Sequence, residues 1–453
     1  MSVEDPVRVG VLSLHTSKET KAICNAIDDL GHDPEWLRRE NTAISVRDGV
    51  ATLEPEVDVV ANRMLLSNTE QPCEELGLAN TIAALVPTLN EPAATLRAAH
   101  KLTTAVDLAA GGVQVPDVLL ALSGHRLNGM RDQFGEEAVY KTAIGTHGGG
   151  TWKVGPGESV NPTVGNRYAF LQELIDPDGG RHRDVRVYVV DDEIVGAMYR
   201  YAPDHDWRTN VALGGDVEDA SDDLPAVVRE MATEAASLVG LDYAGVDLVK
   251  GRDGWFVLEV NPTAGFKGLY EATGVSPAPH IARLAIERAG GSVDSDRVEA
   301  LSSTLDDSDP ECMPVMATAP DNEPSVIGYT EEVVVTGTSG SQTVTAKSDT
   351  GATRTSIDTR LAAEIGAGPI KSIARVKSGS RKTTKSRPVV DVVVGVGGTQ
   401  HTVTASVEDR SHMEYPVLLG RDILGNYQVD VGRRVDRDTA DADEEEEETV
   451  EFG

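Results

Sequence analysis

The chain has 453 residues, enough for two to four domains, each with its own core. Its 41 Lys+Arg against 74 Asp+Glu leave a formal charge of −33, and the cations comprise 29 arginines but only 12 lysines. Such a surface argues against unaided nucleic-acid binding through phosphates. It stays soluble by self-repulsion at a cost in stability at low salt, so it reads as halophilic rather than as a match for a basic partner.

No run of about 18 apolar residues occurs, so no transmembrane helix is expected. The acidic N-terminus before a short apolar strand has the wrong order for a signal peptide. Cys24, Cys73 and Cys312 are widely spaced and form no CxxC or His-paired spacing, which predicts neither a disulfide framework nor a structural zinc site. The expected location is the cytoplasm.

Residues 7–14 (VRVGVLSL) alternate as a buried strand. Residues 18–30 carry Ala22, Ile23, Ala26, Ile27 and Leu30 at helical spacing, with Gly31 as the stop. VDVVA at 57–61 is a further short strand with Asn62 and Arg63 at its carboxyl end, and 73–85 reads as a helix. Residues 1–91 are therefore expected to form a small α/β layer with parallel strands. From 92 to 110 the pattern predicts one helix, carrying Lys101, and GGVQVPDVLLAL then returns to a strand. AVYKTA at 138–143 is a strand with Lys141 inside it, which requires an exposed edge or a bound anion. The glycine-rich loop from Gly145 to Gly150, including Gly148 and Gly149, follows at once and lets backbone N–H groups approach phosphate oxygens. It is neither GxxxxGK[ST] nor a GxGxxG that opens a helix. Without the lysine, a flexible hairpin would explain it.

YAFLQELI at 168–175, with Glu173 and Leu174, is the next strand. Asp184 and Arg186 share a face of the strand VRVYVV by alternation. The returning IVGAMYRYA ends near Arg200, and Arg208, Thr209 and Asn210 lie just beyond. These arginines suit a bidentate grip on carboxylate or phosphate, and equally a surface salt-bridge ladder. An amphipathic helix at 224–239 leads to YAGVDLVKGRDGWFVLEVNPTAGFKG at 243–268, two apolar strands joined by a turn at 250–254. Glu259 and Asn261 point one way, and Asp247 converges on that face if the strands pair. Two carboxylates and an amide oxygen suit Mg²⁺, which takes its remaining oxygens from water and nucleotide phosphates. In so acidic a chain the competing reading is a solvated hairpin. Residues 271–289 end in a helix, and 291–325, punctuated by Pro310, Pro314, Pro320 and Pro324, read as a linker.

From 326 to 435 the texture is all-β, with period-two alternation parted by Gly/Ser turns. Residues 436–453, with the glutamate run at 444–448, are expected to be a disordered acidic tail.

HKLTT around Lys101, VYKTAIGTHGGG, LQELI, RDVRVYVVDDEIVGAMYRYA, DWRTNVALGG and GVDLV…LEVNPTAG stand in an order that resembles the ATP-grasp superfamily, and within it the RimK-type ligases, over residues 7–290. The resemblance implies an α/β pre-ATP-grasp layer (1–91) and an ATP-grasp domain (92–290) of two α+β lobes with ATP between them. It assigns Lys101, Lys141 and the loop with Gly148 and Gly149 to the ATP phosphates, and Glu173 and Leu174 to the adenine hinge. Asp184, Arg208, Thr209 and Asn210 fall on nucleotide contacts. Asp247, Glu259 and Asn261 fall on the Mg²⁺ ligands, with Mn²⁺ as a substitute, and Arg186 and Arg200 on stabilisers of a carboxylate or acyl phosphate. The implied activity is ATP-dependent ligation of glutamate or another amino acid to a protein or small-molecule acceptor through an acyl phosphate. A non-catalytic nucleotide sensor on the same fold is the alternative, and retention of both lysines and all three oxygen ligands counts against it. The family commonly has Asn-Ala-Ser-Pro-Gly where this chain has Asn261-Pro-Thr-Ala-Gly265. That change keeps the ligand and alters the loop that shapes the acceptor pocket.

Asp349-Thr-Gly351 followed by Val417-Leu-Leu-Gly420 is similar to half of a retropepsin. RPVVDVVVG and DRSHMEYPVLLGRDIL resemble a RimK-associated domain labelled an ATP-dependent zinc protease, over 327–435. An aspartic protease needs two carboxylates sharing a proton, and one Asp-Thr-Gly is present, so catalysis by Asp349 requires a homodimer, a peptidase that the ATP-grasp part would regulate. A binding or assembly module on the same β-barrel is the alternative. His401 and His412 are isolated and no HExxH occurs, so zinc finds no support.

Overall fold

The computed structural model describes residues 6–67, 69, 71–145, 151–164, 167–175, 181–203, 207–209, 215–314, 325–368, 370–377 and 384–435. The chain divides into two compact units, Met1–Ala317 and Thr318–Gly453. Among the described residues, no helix is long and apolar enough to cross a membrane.

The first unit opens with a parallel sheet in the order β2-β1-β5-β6, formed by β1 (Arg8–Leu12), β2 (Asp33–Leu37), β5 (Val59–Asn62) and β6 (Thr88–Leu89). A hairpin of β3 (Ala43–Arg47) and β4 (Val50–Glu54) interrupts it. Strands covered on both faces are apolar throughout. Val9 and Val11 pack with Ala22, Ile23 and Ile27 of α1 (Lys18–Asp29), and Leu12 and Val60 pack with Ala79 and Ile82 of α2 (Pro72–Leu85). Ser17 caps α1 by accepting a hydrogen bond from Thr20 N at 3.1 Å.

Helices α3 (Pro92–Ala99) and α4 (Lys101–Ala110) follow. The single helix expected from 92 to 110 is thus two, because His100 leaves the helical conformation (φ −94°, ψ 93°) and bridges to Ile144. Its imidazole caps α4 through Thr103 N, and Lys101 N donates to Ala143 O at 2.9 Å. Then come β7 (Val118–Leu119), α5 (Gly124–Gly129), β8 (Ala138–Thr142), β9 (Thr151–Val154), β10 (Thr163–Val164) and β11 (Arg167–Glu173), whose strands make one sheet with β11 at its centre.

A second antiparallel sheet runs β14-β13-β12-β15-β16, from β12 (Arg183–Val190), β13 (Glu193–Tyr201), β14 (Asp216–Asp219), β15 (Tyr243–Gly251) and β16 (Gly254–Asn261). Helix α6 (Ala226–Val239) covers one face, burying Val228, Ala232 and Ala236 against Val187, Val246 and Val257. Beyond β16 lie α7 (Lys267–Thr273), α8 (Ala278–Arg288) and α9 (Ser295–Ser302). Part of the stretch read as linker is therefore folded. Asp294 caps α9, and Lys18 and Lys21 pair with Asp307 and Asp309, laying the following segment along α1. A single buried valine, Val298, gave the sequence pattern too little apolar periodicity to betray α9.

The second unit is a β-barrel of β17 (Val326–Thr336), β18 (Ser341–Ser348), β19 (Ser356–Asp358), β21 (Thr384–Val396), β22 (Thr399–Glu408) and β23 (Val417–Leu419). Its six strands follow β21-β22-β19-β23-β18-β17, and Val335↔Val394 pairing closes the ring. β20 (Ile370–Lys377) and β24 (Gln428–Arg434) extend it, and α10 (Thr359–Glu364) and α11 (Arg421–Leu424) connect its strands. Val333, Val335, Val392, Val394 and Val417 alternate inward to fill the barrel.

Candidate active site

Strand register gathers the candidate residues on the face of the second sheet away from α6. Asp184 on β12 stands opposite Arg200 on β13, Arg186 opposite Asp247 on β15, and Asp247 opposite Glu259 on β16. Glu259 reaches this face only because of a β-bulge. Leu248 pairs with Val257 and Asp247 with Glu259, so Leu258 has no partner in the ladder. Strict alternation from Val257, whose side chain is buried under α6, would have turned Glu259 and Asn261 into the core.

The ion pairs here are buried and bidentate. Arg186 grips Asp247 with Nε and one terminal nitrogen at 2.6 and 2.7 Å. Arg200 grips Asp184 at 2.7 and 2.6 Å, and the same terminal nitrogen lies 2.9 Å from Asp247. The hydroxyl of Thr209 also donates to Asp184. Asp184 and Asp247 are 5% and 3% exposed, so each carboxylate is tolerable only because these guanidinium donors meet it. Both arginines are thus already committed to carboxylates, each by two of its nitrogens. Asp184 acts on the cleft through Arg200 rather than facing it alone.

At the next layer Lys101 Nζ lies 2.8 Å from Glu259 and donates to Gly145 O at 2.9 Å. The break at His100 makes this possible by docking the start of α4 on the strand end. Burial would push the Glu259 carboxyl up, but the charges of Lys101 and Lys141 outweigh it and hold Glu259 well below the usual carboxylate range. Burial pushes the Lys141 ammonium down to about 8, with Glu259 opposing and Lys101 reinforcing the shift. The Asn261 amide nitrogen lies 3.3 Å from Glu259 and 3.5 Å from Asp247. Lys101, Lys141, Arg186 and Arg200 outnumber Asp184, Asp247 and Glu259, so this end of the cleft is net positive inside a strongly acidic chain.

The cleft, open to solvent, spans about 1020 Å³ and runs from these residues to Gln172, Glu173, Leu174 and Ile175 at the end of β11. Glu173 is tied to the backbone of Asp117, donating from its N to Asp117 O at 2.8 Å while its carboxylate accepts from Asp117 N at 3.2 Å. That fixes the end of β11 and leaves Leu174 and Ile175 on the rim. Val139, Val249 and Leu258 supply apolar surface, and Trp207, Arg208 and Thr209 line the cleft from the far side. Val249, Leu258 and Trp207 escaped the sequence reading. Trp207 lies inside the DWRTN motif, of which only Arg208, Thr209 and Asn210 were given a role, whereas nothing local distinguishes Val249 or Leu258 from core residues. Gly148, Gly149 and Asn210 lie outside the described residues. Among the described residues no group of three or more His, Cys, Asp or Glu could hold a metal. A cation here would find two carboxylates and the Asn261 amide, a hard-oxygen set that fits Mg²⁺ rather than a thiolate- or imidazole-seeking metal.

In the second unit Asp349 follows β18. Its backbone N donates to Leu419 O at 3.0 Å, and its carboxylate accepts from Gly351 N at 2.9 Å, a tight Asp-Thr-Gly turn. Asp422 braces the neighbouring strand, accepting from Thr355 N at 2.9 Å and from its hydroxyl at 2.8 Å.

Residues 98–285 match the model of the RimK-like ATP-grasp domain. The tetrahydromethanopterin:alpha-L-glutamate ligase of Methanocaldococcus jannaschii is 34% identical over 210 residues, 45% of this chain and 71% of that protein. The chain belongs to the RimK-like ATP-grasp family. The ribosomal protein bS6--L-glutamate ligase of Escherichia coli is likewise 34% identical, over 206 residues that make up 44% of this chain and 67% of that one. The protein is an ATP-dependent amino-acid ligase, with an ATP-grasp fold followed by a β-barrel. Residues 364–440 of the ligase match the model described as the retropepsin-like aspartic endopeptidase RimB. Asp349 precedes that matched span.

Proposed function

We propose that the ligase activates a carboxylate of its acceptor as an acyl phosphate and joins it to the amino group of glutamate, the amino acid named for both relatives. The observation that carries this is the cleft end where Lys101, Lys141, Arg186 and Arg200 outnumber Asp184, Asp247 and Glu259 and the Asn261 amide approaches Asp247 and Glu259, with Leu174 and Ile175 at the other end. Lys101 and Lys141 hold the β- and γ-phosphates, and the backbone at Glu173 and Leu174 reads the base, with Arg208, Thr209, Asn210 and the loop of Gly148 and Gly149 completing the nucleotide contacts. Asp247, Glu259 and Asn261 would hold Mg²⁺, with Mn²⁺ as a substitute, and the ion would neutralise the phosphate oxygens. The acceptor carboxylate oxygen attacks the γ-phosphorus and ADP leaves. The glutamate nitrogen then attacks the acyl carbon, phosphate leaves, and the nitrogen loses its proton. Arg186 and Arg200, fixed by Asp247 and Asp184, set a rigid positive wall beside the transferring group. The same reading divides the chain at 91, 290, 325 and 435 and keeps it in the cytoplasm.

Purified protein with Mg·ATP, a panel of amino acids and carboxylate acceptors, including protein C-termini and pterin-type cofactors, should release ADP and phosphate only when both partners are present. Nucleotide binding without turnover across the panel favours a sensor instead. Glu259→Gln and Asn261→Ala should each lower turnover by orders of magnitude with the fold intact, and near-normal turnover in both at saturating Mg²⁺ removes the site assignment.

The Asp-Thr-Gly turn carries a second reading, for the barrel alone. Asp349 supplies one carboxylate of an aspartic peptidase pair, and a second copy of the chain supplies the other. Peptide cleavage that disappears in Asp349→Asn supports it, and unchanged cleavage excludes it.

A further inference from the structure

Arg63 immediately follows β5, at the carboxyl end of the parallel sheet. In the order β2-β1-β5-β6 the chain leaves β1 to one side and resumes at β5 on the other. The crevice between the ends of β1 and β5 is therefore the point where strand order reverses, the place where open parallel sheets hold ligands. Arg63 and the loop after β1 with His15 stand there.

The side chain of Arg63 is 4% exposed, yet no carboxylate among the described residues comes within 4.0 Å of it. Its Nε is buried without a hydrogen-bond partner, and one terminal nitrogen reaches Ala264 O at a long 3.4 Å. The guanidinium otherwise lies over the Phe266 ring at 5.2 Å. Arg131 shares the unpartnered Nε and the lack of a carboxylate, but the other deeply buried arginines fill their terminal nitrogens. Arg131 donates to three carbonyls, Arg200 holds two aspartates, and Arg410 bonds Glu408, Ser356 and Tyr415. A cation buried without a counter-charge is costly, and this one persists in a chain of charge −33. His15 feels it: burial first, then the charge of Arg63, push its imidazole below the ordinary histidine range.

The position relative to the chemistry is specific. Ala264, the acceptor for Arg63, belongs to the loop that follows Asn261, and Arg63 lies beside Asn261 and Pro262 around a small cavity. The adjoining Met64, Leu65 and Ser67 form a groove with Asn261, Thr263, Glu259 and Lys101. Substrate in that groove would have one end at the reacting phosphate and another near Arg63.

We propose that Arg63 is the anchor for a non-reacting carboxylate of the amino acid being joined, holding it so that its amine faces the acyl phosphate. The proposal rests on the ligase reading and adds the residue that holds the incoming amino acid by a carboxylate. A guanidinium already desolvated and lacking a counter-ion gains charge-assisted hydrogen bonds when a carboxylate arrives.

The test is glutamate binding to the full chain in the presence of Mg²⁺ and a non-hydrolysable ATP analogue, comparing the parent with Arg63→Gln and Arg63→Lys. The Kd for glutamate should rise about 30-fold in Arg63→Gln, with partial rescue by Arg63→Lys and an unchanged Kd for the nucleotide. Glutamine and isoglutamine, each lacking one carboxylate charge, show which carboxylate Arg63 takes: the amide of that carboxylate binds the parent weakly. Equal glutamate affinity in parent and Arg63→Gln overturns the proposal, as does a parent that does not bind glutamate. Should Arg63→Gln fail to fold, Arg63→Lys decides by the same comparison: weakened glutamate binding at unchanged nucleotide binding supports the anchor, and an unchanged Kd overturns it. Acceptor-dependent ADP release is measured separately. Turnover with Arg63-independent glutamate binding removes only the anchor, whereas Arg63-dependent binding without turnover removes only the ligase reading.

Discussion

On the proposed assignment of Lys141 to the ATP phosphates, nucleotide binding is sensitive to alkali. Burial, reinforced by the charge of Lys101 and opposed by Glu259, brings its ammonium down to about 8. The charged form is the one that holds phosphate, so affinity is full below that value and falls as pH rises through it. Protonation drops from about nine-tenths at pH 7 to about one-tenth at pH 9, so the association constant for Mg·ATP should fall roughly tenfold over that interval. The linkage to folding has the opposite sign. The folded chain disfavours the charged lysine, so this residue costs stability below about 8 and the cost fades as pH climbs toward the ordinary lysine value. Weaker binding at pH 9 is therefore not explained by Lys141 loosening the fold. Titration calorimetry from pH 6.5 to 9.5 on the parent and Lys141→Arg provides the assay, because an arginine keeps its charge throughout. The parent should show the decline and the variant a flat profile over the same range. A flat parent profile, or an undiminished decline in Lys141→Arg, refutes the reasoning.

Asp184→Asn leaves Arg200 short of one buried counter-charge and should lower the unfolding free energy by about 3–5 kcal/mol, read as a shifted urea midpoint at constant slope. His100→Ala removes the side-chain cap of α4 and should cost about 1 kcal/mol while weakening Mg·ATP binding, since Lys101 begins the helix that His100 starts. Both effects are measured on one preparation by denaturation and nucleotide titration. With a charge of −33, the unfolding midpoint should rise between 0.1 and 2 M KCl as self-repulsion is screened. A salt-independent midpoint would mean that the acidic surface does not limit stability.

Much of the site could be read from sequence because its chemistry is local to strands. Asp184 and Arg186 share a face by period two, and pairing of β15 with β16 brings Asp247 to Glu259. The partnerships were harder. Whether Arg186 and Arg200 stood free or in a ladder depended on cross-strand register, and register made them partners of Asp247 and Asp184. The break at His100 was invisible because residues 92–110 keep helical apolar spacing on both sides of it. The deciding contact, the bridge to Ile144 just past β8, comes from more than forty residues away. Arg63 was noticed only as the residue ending a strand. Its lack of a counter-charge is a property of the packed lobe, and no window of sequence contains it.

The unpaired Leu258 has a consequence for how this protein can vary. By displacing the ladder one step, it puts an aliphatic side chain and a carboxylate side by side on one face of β16, where a regular strand would separate them by a residue pointing the other way. The border between the oily and the ionic halves of the cleft therefore falls across one peptide bond. On the proposed nucleotide assignment, substitutions at position 258 reshape the space offered to the nucleoside while Glu259 keeps its place and the charged end is undisturbed.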